Sequence, residues 1–457
     1  MFSVRDLPGI ATDKREKVMQ ALHPDSDAAS QPTRVRWRIF AVLFFLLAVN
    51  LMDRITLSIG IPFIKDEFHL SPAMQGLILS SFFWSYALLQ VPGGWALDRF
   101  GPRKVLTFSS ILWGLSQIGL ALATGGLSLI FARIALGVAE TPISPSGGKM
   151  NASWMPKSER GRGAAIMDCG SPLGVAFGGL IIAYLIDMLD SWRLAFILAG
   201  LFSMSLALLA WYKLRDRPEE DPRVNAAEMA LIRQGRDDGV APDAPPPAGP
   251  GVDWRSLCGL MFGRATWAMI YFGLMTWGPS YLAQARGFDL RSIGNATFVI
   301  FMLGAAGSLG AGFAVDALVK RGYQHGTVVK SLIALSGGVT LLIFFALPDV
   351  ANPITAVAML SVASFFLTGG GSIYWSIPAL IAHPARAGLV GGFMNMAGSV
   401  GGILVPILAG LILQLTGGYG GVLTFFTLCA ALYVIGTLFI RFAPPTAPLP
   451  AGSTQVS

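Results

Sequence analysis

The chain has 457 residues, of which 53% are hydrophobic and only 13% charged, with a net charge of +7. A soluble domain averages roughly 25% charged residues, so this composition, with a mean hydropathy of +0.61, excludes an ordinary soluble protein and indicates an all-α, polytopic membrane protein. The positive charge does not indicate nucleic acid, because the basic residues gather in loops between apolar runs, the pattern of cytoplasmic loops in membrane proteins.

Residues 1–36 are polar and mixed in charge, and no cleavable signal is expected there. A spanning helix needs about 20 mostly apolar residues. Twelve such runs follow, at 37–60, 74–97, 104–123, 127–149, 163–186, 193–213, 256–281, 292–315, 328–348, 354–380, 387–413 and 421–441.

The first run contains Asn50-Leu51-Met52-Asp53-Arg54, two adjacent opposite charges inside a membrane-crossing stretch. A charge at bilayer depth costs about 2.5–3.5 kcal/mol on insertion scales, and persists where it is paired or faces a wet cavity. Asp53 and Arg54 therefore mark a candidate substrate or ion pathway. After the second run comes Gly94-Trp95-Ala96-Leu97-Asp98-Arg99-Phe100-Gly101-Pro102-Arg103-Lys104. Asp98 is expected to accept hydrogen bonds from a neighbouring helix N-terminus, where the dipole favours an anion. Arg99, Arg103 and Lys104 are expected to pair with acidic ends in the other half of the molecule. Together these residues read as a conformational latch; the plainer alternative is a solvated topology signal.

The fourth run carries Arg133 and Glu140, seven residues apart. Seven residues are nearly two helical turns, so both point to one face about 10 Å apart. Counted from opposite membrane faces at about 1.5 Å per residue, Asp53, Arg54 and Arg133 reach compatible heights, with Glu140 somewhat deeper. A functional reading is a coupled site, in which an arginine holds a substrate carboxylate and an acid releases its arginine when protonated. Guanidinium suits this role because its planar fork matches a carboxylate and stays charged. The alternative is a static network tying runs one and four, although buried ion pairs are costly as mere glue. Pro142 and Pro145 should bend or loosen the run after Glu140. Asp168, early in run five, is expected to pair with a base such as Lys149. Gly170, Gly174, Gly178 and Gly179, and Gly398, Gly401 and Gly402, suit close helix contacts.

Residues 214–255 divide the chain into a tail (1–36), a six-helix bundle (37–213), a cytoplasmic linker (214–255), a second six-helix bundle (256–441) and a tail (442–457). Within the linker, Ala244-Pro245-Pro246-Pro247 suits an extended segment, and Val224 to Arg236 reads as a short surface helix. Basic residues crowd alternate loops, which places both termini in the cytoplasm. The second half repeats the first: Gly312-Phe313-Ala314-Val315-Asp316, with Arg321-Gly322, follows run eight as the latch motif follows run two. Such a repeat indicates duplication about a pseudo-two-fold axis along the membrane normal.

On these residues the chain resembles the major facilitator superfamily, whose signature G-x-x-x-D-R-x-G-x-R-[RK] stands at 94–104. The Asp53-Arg54 pair, Phe83-Trp84-x-Tyr86, Gln90-x-Pro92-Gly93-Gly94 and Arg133 with Glu140 narrow the likeness, which spans about residues 36–442. Together they resemble the anion:cation symporter family, whose bacterial members carry sugar acids, tartrate, phthalate or hydroxyphenylacetate and which is similar to animal organic-anion carriers. The resemblance implies twelve transmembrane helices in two pseudo-symmetric six-helix bundles, and proton-coupled uptake of a small organic anion by alternating access. It assigns proton coupling to Asp53 and Glu140 and anion handling to Arg54 and Arg133. It also assigns pocket roles to Tyr86, Ser372, Trp375 and Asn395, and implies a monomer in the bacterial inner membrane. Sugar-acid members carry a Tyr where Leu51 stands and a Gln where Ser171 stands. Both changes remove hydrogen-bonding reach and favour a substrate with fewer hydroxyls, such as an aromatic or short dicarboxylic acid.

Enzyme chemistry is not expected: there is no metal-ligand spacing, phosphate loop or nucleophile elbow. Cys169, Cys258 and Cys429 lie far apart and read as packing residues; His23, His69, His325 and His383 fall in a tail or in loops. The expected partners are a small carboxylate, protons and the lipid bilayer, with no metal, cofactor or nucleic acid. Rival readings are an exporter or uncoupled facilitator of the same fold, or a solute-binding sensor, which the short tails disfavour.

Overall fold

The computed structural model describes residues 31–233, 252–382 and 386–442. Ala244 to Pro247, His23, His383 and most of both tails lie outside these residues. The first half comprises α1 (Val35–Phe68), α2 (Pro72–Leu88), α3 (Gln90–Phe100), α4 (Pro102–Ala121), α5 (Gly126–Glu140), α6 (Ile143–Trp154), α7 (Arg160–Leu189) and α8 (Trp192–Lys213). A short α9 (Ala226–Arg233) lies in the middle segment, inside the stretch read as a surface helix. The second half comprises α10 (Trp254–Arg286), α11 (Leu290–Lys320), α12 (His325–Ala346), α13 (Pro353–Tyr374), α14 (Ile377–Ile381), α15 (Ala387–Thr416) and α16 (Tyr419–Phe439).

Ten of these segments are long and apolar enough to cross a membrane. The remaining two of the twelve expected runs are the broken pair α2–α3 and α4, where Lys104, Ser109, Ser110, Ser116 and Gln117 dilute the apolar residues. α1 has 34 residues and α10 has 33. At about 1.5 Å per residue each is about 50 Å long, so both reach well past a hydrocarbon core of about 30 Å.

Three crossings break where prolines remove a helix hydrogen bond. Pro92 cannot donate to Leu88, the last residue of α2. Pro145 cannot donate to Thr141, which separates α5 from α6 just after Glu140. Pro378 cannot donate to Tyr374, the last residue of α13.

The packing repeats between the halves. α1 packs on α7, α2 on α5 and α4 on α8; in the same order, α10 packs on α15, α11 on α13 and α12 on α16. The halves meet where α2 packs on α15 and α7 on α11, which are again the second and fifth crossings of each half. Small residues permit these approaches: a Cβ on Gly174 or Gly178 of α7 would collide with Ala48 or Met52 of α1.

Among the described residues, the non-covalent ties between the halves gather toward one end. At the end reached by Phe68, Ala73 N donates to Gln414 Oε1 (3.2 Å), Ser80 Oγ to the Ile403 carbonyl (2.7 Å), and Arg291 pairs with Asp187 (2.6 Å). Toward the end bearing residues 33 and 441, the cross-half hydrogen bonds of the described residues stop at Asn395–Gln90 and Ser171–Tyr271. Beyond them Val91, Trp95, Phe100, Leu389 and Phe393 are exposed.

α9 is tied to the first half. Its fully buried Glu228 accepts the backbone N–H groups of Val35 and Arg36 and pairs with the Arg36 guanidinium at 2.9 Å. An anion placed here satisfies donors that a helix N-terminus otherwise leaves open. Arg36 also pairs with Glu159 at 2.7 Å, between α6 and α7.

Candidate functional site: a buried charge cluster at a central cavity

Successive helical residues point about 100° apart, so Asp53 and Arg54 diverge. The Arg54 Nε donates to Glu140 Oε2 (2.9 Å) and its Nη2 to Asn50 Oδ1 (3.0 Å). The same guanidinium lies 4.5 Å from the ring centres of both Phe82 and Tyr86 on α2. Arg133 approaches the Phe82 ring at 5.1 Å. Asp53 instead faces α8, where its Oδ2 accepts the Ser203 hydroxyl at 2.6 Å. All four charged residues are buried, Asp53 and Glu140 completely. Ion pairing and cation–π contacts offset part of their desolvation. Asp53 Oδ1, Glu140 Oε1 and Arg133 Nε and Nη1 have no hydrogen-bond partner among the described residues, so the cluster holds spare donors and acceptors.

A cavity of about 180 Å³ lies between the halves. Leu47, Leu51 and Arg54 of α1, Ser144 of α6 and Ser171 of α7 line one side. Arg264, Trp267 and Tyr271 of α10, Ser308 of α11, and Ser372 and Trp375 at the end of α13 line the other. Arg54 is thus both a member of the buried cluster and part of the cavity wall.

Of the residues expected in a pocket, Arg54, Ser372 and Trp375 line this cavity. Tyr86 stands behind the wall and shares a 2.8 Å hydrogen bond with the lining Ser144. Arg133 is packed behind Phe82. Asn395 donates to Gln90 at 2.8 Å and so links α15 to α3 across the halves. Ser372 is hydrogen-bonded to Ser308. Leu51 and Ser171, the two departures from the sugar-acid pattern, both lie on the cavity wall.

Arg264 went unrecognised in the sequence reading, although the signal was present. It is a charge about ten residues into an apolar run, the feature that singled out Asp53 and Arg54. With Trp267 and Tyr271 it also follows the i, i+3, i+7 spacing of one helix face. Its guanidinium lies 4.1 Å from the Trp267 ring and 5.4 Å from the Trp375 ring.

Two of the latch residues, Asp98 and Arg103, find partners in α6 and in the stretch just after α8. Asp98 pairs with Lys149 of α6 at 2.8 Å rather than with a helix N-terminus. Lys149 also donates to the Leu97 carbonyl; the Asp168 side chain, its expected partner, is outside the described structure. The Arg103 backbone N–H donates to Asp216 (2.7 Å), its Nε donates to the Trp211 carbonyl (2.8 Å), and its guanidinium lies over the Trp211 ring. Gly101, at φ +85°, makes the one-residue turn between α3 and α4 and lies against Asp216. Gly94 lies in α3 with space around it. Arg99, Lys104, Asp316 and Arg321 make no ion pair among the described residues.

A larger recess, about 410 Å³, sits at the joined end between Glu67, Asp187 and Arg193. Two of its three acids are already paired, Glu67 with Arg193 at 2.7 Å and Asp187 with Arg291 at 2.6 Å; the third is Asp190. It is a surface vestibule, remote from the buried cluster.

Two helical halves with repeated packing, a buried charge cluster and a cavity between them define a multi-pass membrane transport protein. The chain belongs to the Major Facilitator Superfamily, whose model matches residues 43–406. It is 30% identical over 431 residues to the "Probable galactarate/D-glucarate transporter GarP" of Escherichia coli (strain K12), covering 91% of this chain and 96% of that protein. It is 32% identical over 401 residues to the "D-galactonate transporter" of Escherichia coli O6:H1, covering 86% and 92%. The fold matches the crystal structure of a bacterial homolog of the human lysosomal transporter Spinster in an inward-facing, occupied conformation. That match has a TM-score of 0.70 and 17% identity, and covers 89% of this chain and 96% of the other. The superfamily and these relatives are transporters rather than enzymes.

Proposed function

We propose that this protein imports a small organic anion together with protons across a bacterial inner membrane, by alternating access of its two halves. The observation that carries the reading is the dual position of Arg54, paired with the fully buried Glu140 and lining the cavity between the halves. While Glu140 is ionised it holds the Arg54 guanidinium. Protonation of Glu140 weakens that pair and leaves Arg54 to a substrate carboxylate. Asp53, held by Ser203 on α8, is the second proton-coupling acid, and Arg133, packed against Phe82, balances its charge while it is ionised. Tyr86 acts through Ser144, while Ser372, Trp375 and Asn395 shape the wall and mouth of the site.

Relatives about 30% identical that are named as sugar-acid transporters support an organic-acid substrate. Leu51 and Ser171 on the wall favour an acid with fewer hydroxyls. An inward-negative potential opposes uptake of an anion by about 2.3 kcal/mol per charge per 100 mV, and co-imported protons cancel that cost. Both termini face the cytoplasm, so the parted end is the inner one. Residues 37–213 and 256–441 rock as two bodies joined by 214–255. When the inner end closes, Arg99, Lys104, Asp316 and Arg321 engage across the halves, while Asp98–Lys149 and Arg103–Asp216 tie the first latch segment to α6 and to the stretch after α8.

The test is uptake into proteoliposomes of labelled galactarate, galactonate, tartrate and phthalate with the outside acidified. Acid-stimulated accumulation of at least one is expected. Uptake indifferent to the proton gradient for every acid carried overturns the coupling, and no uptake of any carboxylate overturns the substrate class.

A further inference from the structure

We propose that the first half encloses a cluster of ordered waters between α1, α4, α5 and α8, and that Asp53 takes up its proton through it, on the side away from the substrate cavity. The second clause rests on the reading of Asp53 as a coupling acid. Asp53 is fully buried and is not on the cavity wall, which α1 reaches through Leu47, Leu51 and Arg54. Its Oδ2 is held by Ser203 of α8, whereas Oδ1 has no hydrogen-bond partner among the described residues. Trp113 and Gln117 stand four residues apart on α4, so they share one face, and both are fully buried. The Trp113 indole N–H and both polar atoms of the Gln117 amide lack partners among the described residues, as does the buried Ser58 hydroxyl of α1.

Helix register brings these groups to one place. Asp53 meets Ser203, and a Cβ on Gly60 would strike Phe196, which sets α1 against α8. A Cβ on Gly114 would strike Met204 and the Gly200 carbonyl, which sets α4 against α8. Ser109 donates to the Ala139 carbonyl, and a Cβ on Gly119 would touch Ala132, which sets α4 against α5. Trp113 therefore stands at the level of Ser203 and Asp53. Gln117 stands a turn further out, at the level of Ser58 and of Arg133, whose Nε and Nη1 are also unmet among the described residues. From there about 6 Å remain to the end of α4 at Ala121. The charges nearest Asp53 are Arg54 on its own helix and Arg133 and Glu140 on α5; between their terminal turns α4 and α8 carry none.

The second half shows the contrast. α12 and α16 pack as α4 and α8 do, yet their buried polar groups close on protein. Ser336 donates to the Phe366 carbonyl at 2.7 Å and shares a hydrogen bond with Tyr433, and Tyr374 meets Thr437 at 3.0 Å. Buried polar groups that protein does not satisfy are met by water, which takes about three such partners. Along a file of waters, an O–H bond forms at Asp53 Oδ1 as one breaks on the adjacent water, and that water is reprotonated by the next, out to the external solution. The Gln117 amide both donates and accepts, so it orients the file without itself gaining or losing a proton.

Hydroxyl-radical footprinting of the purified full-length protein tests the waters, because radicals formed from bound water label the side chains beside it. Trp154 and Trp277 are the controls: they are as buried as Trp113, but their indole N–H groups donate to the carbonyls of Arg215 and Pro406. Trp113 is expected to label at least fivefold faster than either, and Gln117→Leu to remove most of that excess. In proteoliposomes Gln117→Leu should lower acid-driven net uptake at least fivefold, with substrate affinity in exchange within about twofold of native. Gln117→His, which keeps a donor and an acceptor, should restore most of the uptake. Trp113→Phe, which removes the N–H, should lower net uptake in the same selective way, and it decides the matter if Gln117→Leu does not fold. Trp113 labelling no faster than both controls overturns the waters. Net uptake unchanged in Gln117→Leu and Trp113→Phe, or lost together with exchange in both, overturns the relay. Native uptake indifferent to the proton gradient overturns the coupling reading and the relay with it, while the labelling of Trp113 still decides the waters.

Discussion

Arg54 and Glu140 meet at 2.9 Å with both side chains buried, and replacing one partner strands the other's charge. Glu140→Gln keeps a carbonyl oxygen for Arg54 but cannot titrate. Acid-driven net uptake is expected to fall at least tenfold, while exchange of labelled for unlabelled substrate continues; both are measured in proteoliposomes. Loss of exchange together with uptake would assign Glu140 to structure instead of coupling. Arg54→Lys retains the charge but not the fork, and it surrenders contacts to two rings, Phe82 and Tyr86. A tenfold or larger loss of substrate affinity is expected. The reach of sequence reasoning is clear at this scale. Hydropathy exposes a charge in an apolar run, so Asp53, Arg54, Arg133 and Glu140 were legible, and Arg264 was legible by the same argument. Hydropathy carries no azimuth, so nothing in it told that Asp53 turns to Ser203 while Arg54 turns to Glu140.

At the scale of elements, the breaks after Leu88, Glu140 and Tyr374 follow from proline chemistry, which is local and readable in the sequence. Partner choice is not local. Asp98 takes Lys149 of the first half, and Arg103 takes Asp216 at the start of the middle segment. The Asp98 side chain is 77% exposed, and a pair so open to solvent contributes about 0–1 kcal/mol. Asp98→Asn should therefore leave thermal stability nearly unchanged. A drop in transport rate of fivefold or more in that variant would report on gating, whereas an unchanged rate removes Asp98 from the latch. Gly174 tests packing rather than gating. Any side chain there meets the Ala48 backbone of α1, so Gly174→Val should cost about 1–3 kcal/mol as an overpacked contact, seen as a lowered melting temperature in detergent.

For the whole molecule, the halves touch at the end where Asp187 meets Arg291 and part at the end where Trp95 and Phe393 are exposed. If transport requires the joined end to open, a tether there must stop it. A short bifunctional thiol reagent bridging Asp187→Cys and Arg291→Cys, in a chain freed of its three native cysteines, is expected to abolish uptake. Each single-cysteine variant should survive the same treatment. Transport that continues through the tether would reject opening at that end.

By itself the sequence determined the membrane class, the helical runs, the two repeated halves and the depth at which charges occur, because hydropathy, proline and chain direction act locally or along one axis. The tertiary structure alone decided which charges pair, that Arg264 shares a cavity with Arg54, and which end of the molecule is parted. Those outcomes depend on how each helix is rotated and tilted against its neighbours. Rotation is set by close packing of small residues and rings, which an average over apolar content does not record.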